Sequence, residues 1–161
     1  MRRAIIYFSL TGNTKTFAEK VASACGADIF RVEMVKPLPA SFAGQMMIGG
    51  MQSTFAMKPK TKGLPQDITS YDEIILGTPV WAGKCASPMN TVLEDRDLCE
   101  KITAAFTLSG GGDNDRCEKQ LKRKLPNLKR IAALADRKNS MAKNNDAIIK
   151  KFVESILNAK R

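Results

Sequence analysis

Three hydroxyl side chains, Ser9, Thr11 and Thr14, lie within six consecutive residues that carry no charge. The apolar residues 5–8 precede them, and an apolar pattern with helical spacing follows over residues 14–25. This order predicts a buried strand, a turn and a helix. A turn at a helix N-terminus presents unpaired N–H groups at the positive end of the helix dipole. The segment therefore indicates a phosphate site built from neutral donors, although ordinary capping by Ser and Thr would leave the same pattern.

The same segment excludes several common phosphate and metal loops. A Walker loop and a dinucleotide fingerprint both need more than one glycine, and this turn contains only Gly12. The chain has no histidine, and its four cysteines form no Cys-x-x-Cys pair, so few metal ligands are available. We therefore expect no metal site, and we expect Cys25, Cys85, Cys99 and Cys117 to be free thiols.

Two further segments have residue types suited to a ligand. Residues 78–84 contain the only tryptophan, Trp81, and residues 109–114 contain three consecutive glycines. An exposed Trp is costly unless its ring covers a flat group, and the alternative is a ring folded over the sheet edge. Glycines let backbone N–H groups approach a ligand, although they also suit a flexible turn. Together with residues 9–14, these segments fit a ligand that has a phosphate at one end and a flat ring at the other.

The elements that must position these loops alternate between strand and helix. Such alternation predicts an α/β fold, a doubly wound parallel sheet with helices on both faces. Ligands of such sheets bind beyond the carboxyl ends of the strands, so the three loops are expected to meet in one crevice. The predicted strands are residues 5–8, 27–33, 73–78, 102–108 and 128–134, and the predicted helices are residues 14–25, 87–95, 114–125 and 148–157.

Residues 34–70 interrupt this alternation. The segment is rich in Pro, Gly and Met and is too long for an ordinary loop, and a short helix is expected over residues 41–47. Its methionines could cover a cofactor or a partner, but packing against the core is the favoured interpretation.

These motifs together resemble the flavodoxin family over nearly the whole chain. Residues 9–14, Ser-Leu-Thr-Gly-Asn-Thr, are similar to the phosphate loop of that family. Residues 71–83 are similar to its segment that carries an aromatic residue beside the flavin, and residues 109–113 resemble its third loop. The resemblance implies a single domain over residues 1–161, five parallel strands in the order 2-1-3-4-5, and non-covalently bound FMN.

The resemblance also implies roles for particular residues. The first loop would hold the FMN phosphate, with Leu10 contributing its N–H group. The second would flank the isoalloxazine ring, with Trp81 stacked on it, and the third would wall the pyrimidine edge. The implied cofactor-binding residues are Ser9, Leu10, Thr11, Gly12, Asn13, Thr14, Pro79, Val80, Trp81, Ala82, Gly83, Lys84, Ser109, Gly110, Gly111, Gly112 and Asp113.

The charge of this chain departs from that of the acidic electron carriers in the family. The net charge is +10, and residues 116–161 carry 14 Lys and Arg against 4 Asp and Glu. Such a basic region could attract an acidic partner surface, phosphates or nucleic acid, although solvated helix faces are the favoured interpretation. Lys84 is expected to lie near the ring and to raise the potential of the flavin.

Two classes of redox function follow from the resemblance. The first is an FMN protein that carries electrons between redox partner proteins. The alternative is an FMN-dependent NAD(P)H:acceptor oxidoreductase that reduces quinones or other small electron acceptors. No catalytic side chain is assigned in either case, so whether the protein is an enzyme stays open.

A basic nucleic-acid-binding module is a third and disfavoured function, because aromatic residues are nearly absent from the basic region. No apolar run approaches the roughly 18 residues that suggest a membrane-spanning helix. We therefore expect no membrane span and a cytoplasmic location.

Overall fold

A computed structural model describes residues 1–160 and contains every predicted strand, with shifted ends. The largest shift is in the third strand, which continues three residues beyond its predicted end, through Pro79 to Trp81. It then turns back and pairs with a short antiparallel strand that the sequence pattern did not predict. The strands are β1 (Arg3–Tyr7), β2 (Ala27–Arg31), β3 (Glu73–Trp81), β4 (Lys84–Cys85), β5 (Ile102–Ser109) and β6 (Arg130–Ala135).

The strands form one sheet in the order β2-β1-β3-β5-β6, and β4 pairs only with β3. All neighbours in this order are parallel, which confirms the predicted doubly wound sheet. The five parallel strands, counted along the chain, follow the expected order 2-1-3-4-5. The order reverses between β1 and β3, and a crevice at this point is where ligands of such sheets bind.

The strands are nearly continuous apolar runs because both faces of the sheet are covered. Successive residues of β1 alternate between two cores: Ile6 contributes to one, and Ile5 contributes to the other. Both side chains are fully buried. The first core also contains Met89 and Leu121, and the second contains Phe152. These contacts place the helices that carry these residues on opposite faces of the sheet.

The helices differ from the predictions in two places. The short helix expected over residues 41–47 extends for 13 residues, from Phe42 to Thr54. The helix expected over residues 87–95 ends at Val92, and a second helix that was not predicted begins at Arg96, where Asp95 caps it by accepting a hydrogen bond from the Leu98 N–H. The helices are α1 (Asn13–Cys25), α2 (Phe42–Thr54), α3 (Ser87–Val92), α4 (Arg96–Lys101), α5 (Asp115–Lys124) and α6 (Asn145–Leu157).

A buried ionic network joins β1, β3 and β6 at the amino ends of these strands. The Glu73 carboxylate lies 2.9 Å from Arg3 Nε and 3.4 Å from Arg130 Nη1. Thr103 Oγ1 donates a further hydrogen bond to it at 2.7 Å. This network stabilises the edge of the sheet opposite the one that carries the predicted loops. Across residues 1–160, no helix has both the length and the apolar character needed to cross a membrane.

Candidate functional site

The carboxyl ends of β1, β3, β5 and β6 border a cavity of about 590 Å³. All three loops selected from the sequence contribute to its wall, as expected for loops that follow neighbouring parallel strands. The predicted site residues that line it are Leu10, Thr11, Asn13, Thr14, Pro79, Val80, Trp81, Ala82 and Gly110. The other predicted residues lie outside this lining: Ser9, Gly12, Gly83, Lys84, Ser109, Gly111, Gly112 and Asp113.

The turn before α1 forms one end of the cavity. Gly12 has φ +93°, which favours glycine, and its N–H donates to Ser9 Oγ at 3.1 Å. The first backbone bond of α1 runs from Thr16 N–H to the Gly12 carbonyl. The N–H groups of residues 13–15 therefore have no acceptor within the helix. No side chain caps the helix, so this end of the cavity offers backbone donors to an anion.

The residues that follow β6 also reach this end of the cavity. Asn13 Nδ2 donates to Asp136 Oδ2 at 2.6 Å, which joins the turn to the end of β6. Arg137 and Lys138 line the cavity and are both exposed. Asp136, Arg137 and Lys138 are not among the site residues predicted from the sequence. Their position directly after the last strand was the signal, because that loop lies at the same edge of the sheet as the other three.

Trp81 forms part of the opposite, apolar end. Its ring is half-buried, lies edge-on to Phe8 with 5.4 Å between ring centroids, and lines the cavity. A Cβ atom on Gly49 would lie 3.3 Å from the ring, so the absent side chain lets α2 approach closely. The tryptophan is therefore anchored on the edge of the sheet and also borders the cavity. The ring packs over the sheet edge, and it is also placed where it could cover a flat ligand.

A tight hairpin carries Trp81. Ala82 and Gly83 both have positive φ angles, +49° and +77°, as in the two-residue turns that match the twist of antiparallel strands. The hairpin is fastened on two sides: the Cys85 N–H donates to Gln120 Oε1 at 3.1 Å, and Ser53 Oγ donates to the Cys85 carbonyl at 3.3 Å. These bonds hold the second loop between α2 and α5.

The expectation of four free thiols is wrong for two of the cysteines. Cys85 and Cys117 form a disulfide with their Cα atoms 5.0 Å apart, and both residues are fully buried. Their sequence separation of 32 hid the pairing from the sequence pattern, because only the fold brings β4 against the first turn of α5. Cys25 and Cys99 are free and buried, as expected, and burial raises the pKa of both thiols.

Helix α2 covers part of the cavity, with Phe42, Gln45, Met46 and Gly50 in its lining. The favoured interpretation of this segment, packing of its methionines against the core, is wrong. Met46 is 62% exposed and Met47 is 71% exposed. The buried positions of α2 are instead the small residues Gly49 and Ser53, which contact the hairpin. The larger side chains Phe42 and Met46 stay exposed where they line the cavity.

The third loop contributes less to the cavity than expected. Gly110 lines the cavity, and nothing lies within 4 Å of the position its Cβ would take, so its backbone is open to a ligand. Gly112 has φ +78° and lies beside Met141. The Asp113 carboxylate accepts a hydrogen bond from the Asp115 N–H at 3.1 Å, and this bond helps to start α5.

Lys84 does not line the cavity. Its ammonium group donates to the Thr54 carbonyl at 2.9 Å, and its side chain borders a separate groove on α5. The cations that do line the cavity are Arg137 and Lys138. Among the described residues 1–160, no group of three or more His, Cys, Asp or Glu side chains could hold a metal ion.

Solved structures of flavoproteins share this fold. A protein from Bacteroides eggerthii DSM 20697 assigned as a flavoprotein matches at a TM-score of 0.72, with 24% identity over 94% of this chain and 97% of that one. A flavoprotein from Lactobacillus acidophilus NCFM in complex with FMN matches at 0.71, with 24% identity and the same coverage. A flavodoxin from the domain Archaea matches at 0.62, with 15% identity over the full length of both chains.

At these identities the solved structures establish the fold alone. The sequence itself matches the model of a family described as flavodoxin, and the match runs over residues 2–156. Because that match takes in nearly the whole chain, including all three loops, this protein belongs to the flavodoxin family.

Proposed function

We propose that this protein binds FMN non-covalently and carries electrons between redox partner proteins. The observation that carries the proposal is the composition of the cavity, which has free backbone donors at one end and an aromatic, apolar wall at the other. A phosphate suits the first end, and a flat ring suits the second. Membership of the flavodoxin family supports FMN as the ligand with both groups.

The residues present fit this group. The N–H groups of residues 13–15 and the buried hydroxyl of Thr14 would hold the phosphate, and Arg137 and Lys138 would add positive charge. Trp81, Leu10 and Met46 would exclude water from the ring. When bound, FMN supplies the redox chemistry, and the protein supplies binding, orientation and electrostatics.

The side chains of the cavity favour a carrier over an enzyme with its own acid–base group. The chain has no histidine, and the carboxylate of Asp136 is engaged by Asn13. We therefore assign no catalytic residue. The alternative, an FMN-dependent NAD(P)H:acceptor oxidoreductase, would need only a place for the nicotinamide beside the flavin, so oxidation of NADPH or NADH distinguishes it from a carrier. A cytoplasmic location and a single domain over residues 1–161 stay predictions.

The test is titration of the purified protein with FMN and with riboflavin, followed by visible absorption. We expect both flavins to bind, and FMN to bind more tightly because only FMN has the phosphate. Thr14→Val should weaken FMN by roughly tenfold or more, as for loss of a hydrogen bond to a charged group, and should leave riboflavin unchanged. Trp81→Ala should weaken both flavins, whereas Trp81→Phe should retain most of the affinity.

The control is Leu157→Gln, an exposed position on α6 far from the cavity, which should alter neither titration. No binding of FMN by the wild-type protein would overturn the proposal. Rapid oxidation of NADPH or NADH by the FMN-loaded protein, with a quinone as acceptor, would replace the carrier with the oxidoreductase.

A further inference from the structure

A basic groove runs along α5 beside the hairpin that carries Trp81, and an exposed apolar row at α2 borders the groove. We propose that these two features form one docking surface for an acidic redox protein. The proposal rests on the proposed function, because it names the chemistry of the partner that the flavin site would serve.

The groove has a volume of about 1,090 Å³, and most of its lining residues are basic. Within residues 1–160, four of the six cations of the groove have no carboxylate within 4 Å: Lys84, Arg116, Lys119 and Arg123. Two others have only weak partners, since Lys122 lies 3.9 Å from Glu118 and Lys124 lies 3.9 Å from Glu94. The groove therefore keeps most of its positive charge, which attracts an acidic surface from solution.

The groove adjoins the candidate flavin site directly. Arg116 Cδ lies 3.1 Å from the position that a Cβ atom on Gly83 would take. The preceding residue of the same turn, Ala82, lines the cavity. A protein seated in the groove would therefore rest against one side of a two-residue turn whose other side faces the cofactor cavity. Such closeness suits electron transfer between two bound redox centres.

The apolar row consists of Met47 and Met51, which share one face of α2, and Phe55, which directly follows the helix. The three residues lie four apart along the chain. They are 71%, 48% and 73% exposed. The row meets the groove at the C-terminal end of α2, where the Thr54 carbonyl accepts the Lys84 hydrogen bond and Ala56 lines the groove. Exposed methionine and aromatic side chains beside a charged rim are typical of a protein-binding surface.

These features together favour an acidic protein over other occupants. A second copy of this chain would bring another net charge of +10, and the like charges would repel. A nucleotide would satisfy the groove and leave the apolar row uncovered. Nucleic acid would satisfy the cations, but the row has no basic side chains to reach phosphates. A partner with carboxylates around an apolar patch matches both parts of the surface.

The experiment uses the FMN-loaded protein, reduced with one equivalent of dithionite and mixed by stopped flow with an acidic haem protein. A basic haem protein with the same axial ligands serves as the comparison. Each reduced flavin passes two electrons to two ferric haems, which become ferrous, and two protons are released. The variants are Lys119→Glu/Arg123→Glu in the groove and Lys150→Glu/Lys151→Glu on α6. Both pairs are exposed, and both change the net charge equally.

We expect the groove variant to slow electron transfer to the acidic haem protein by about tenfold at low ionic strength, and the α6 variant to slow it less than twofold. The difference in transfer rate between the two charge variants should become smaller as salt is added. The basic haem protein should react slowly with the wild-type protein and faster with the groove variant. Met47→Gln/Phe55→Ser should slow transfer to the acidic protein several-fold at any salt concentration, and Leu157→Gln should not.

Equal effects from the two charge variants would overturn the proposal, because net charge alone would then explain the rates. Calorimetric binding of the acidic haem protein to the FMN-free protein and its groove variant tests the surface separately. If FMN does not bind but the acidic protein still binds through the groove, the proposed function is wrong and the proposed docking surface is supported. Groove-dependent binding of duplex DNA, without binding of the acidic protein, would replace this partner with nucleic acid.

Discussion

Asn13 and Asp136, 123 residues apart in the chain, are joined by a hydrogen bond of 2.6 Å between an amide nitrogen and a carboxylate oxygen. The bond links the first residue of α1 to the residue after β6. It places a negative charge next to the backbone donors that we assign to the phosphate. Asp136 therefore has two opposing effects, since it orders the loop and repels the proposed ligand.

Asp136→Asn should separate these effects. The substitution removes the charge, while an amide-to-amide hydrogen bond with Asn13 remains available. We expect FMN to bind about fivefold more tightly at low salt, because roughly 1 kcal/mol of repulsion is lost. Riboflavin, which has no phosphate, should bind as before. Fluorescence titration with both flavins measures the effect.

Asp136→Ala is the matched comparison, because it removes the charge and the hydrogen bond together. Its affinity for FMN should lie below that of Asp136→Asn. The interpretation of Asp136 is wrong if the two variants bind FMN equally well, or if riboflavin responds as strongly as FMN.

Loss of the disulfide should lower the free energy of unfolding. Cys117→Ser removes the Cys85–Cys117 bond, which closes a loop with a sequence separation of 32. For a loop of this length we expect a loss of about 3–4 kcal/mol, measured by urea denaturation of the oxidised proteins. FMN affinity should fall as well, because the bond holds the hairpin that carries Trp81.

A reductant provides the control for this change. Dithiothreitol should destabilise the wild-type protein and leave Cys117→Ser unaffected. Alkylation of the unfolded, unreduced protein should label Cys25 and Cys99 only, since these are the free thiols. In the native protein neither should react quickly, because burial protects them and raises the pKa of their thiols. Labelling of all four cysteines without reduction would contradict the disulfide.

The ionic network at the amino ends of the strands should affect stability and not flavin binding. Glu73→Gln leaves Arg3, which is buried, without a charged partner. Breaking a buried pair in this way costs about 3–5 kcal/mol, so the urea midpoint should fall sharply. The Kd for FMN should change less than twofold, because the network lies at the opposite edge of the sheet from the cavity. A large change in flavin affinity would show that the two edges are coupled.

Glu118 should make a small, pH-dependent contribution to the free energy of unfolding. Burial is the main cause that raises the pKa of this carboxyl, against the opposing effect of Lys122. A folded-state pKa above the unfolded value means that the protonated form favours folding. Stability from this group is therefore present at low pH and is lost as the pH rises through the folded-state pKa.

Glu118→Gln removes this titration. We expect the variant to be more stable than the wild-type protein near pH 7, by roughly a few tenths of a kcal/mol, and to approach it below about pH 4. Thermal unfolding of both proteins across this range gives the comparison. Lys122→Gln is the matched control, because removing the cation should raise the pKa of Glu118 further and widen the pH dependence. A variant that is less stable at neutral pH would contradict this account.

The sequence by itself determined the alternation of strands and helices that predicts a parallel sheet, and the turn before α1, whereas the strand order was implied by the resemblance to the flavodoxin family. The alternation and the turn are local features: a run such as Ile5–Phe8 must be buried on both faces, and the turn Ser9–Thr14 follows it directly along the chain. The same reasoning correctly placed Trp81 and Gly110 at the edge of the sheet that carries the cavity.

Only the tertiary structure decided which distant residues complete the site. Three examples are Asp136, Cys117 and the α2 residue Met46. Each lies far along the chain from the segment it contacts, and the residues around it in sequence do not predict that contact. Lys84 shows the same limit, since its neighbours in sequence suggested the flavin but its ammonium group bonds to Thr54 instead. Periodicity specifies which face of an element is buried, whereas the partner of each side chain depends on how the elements pack.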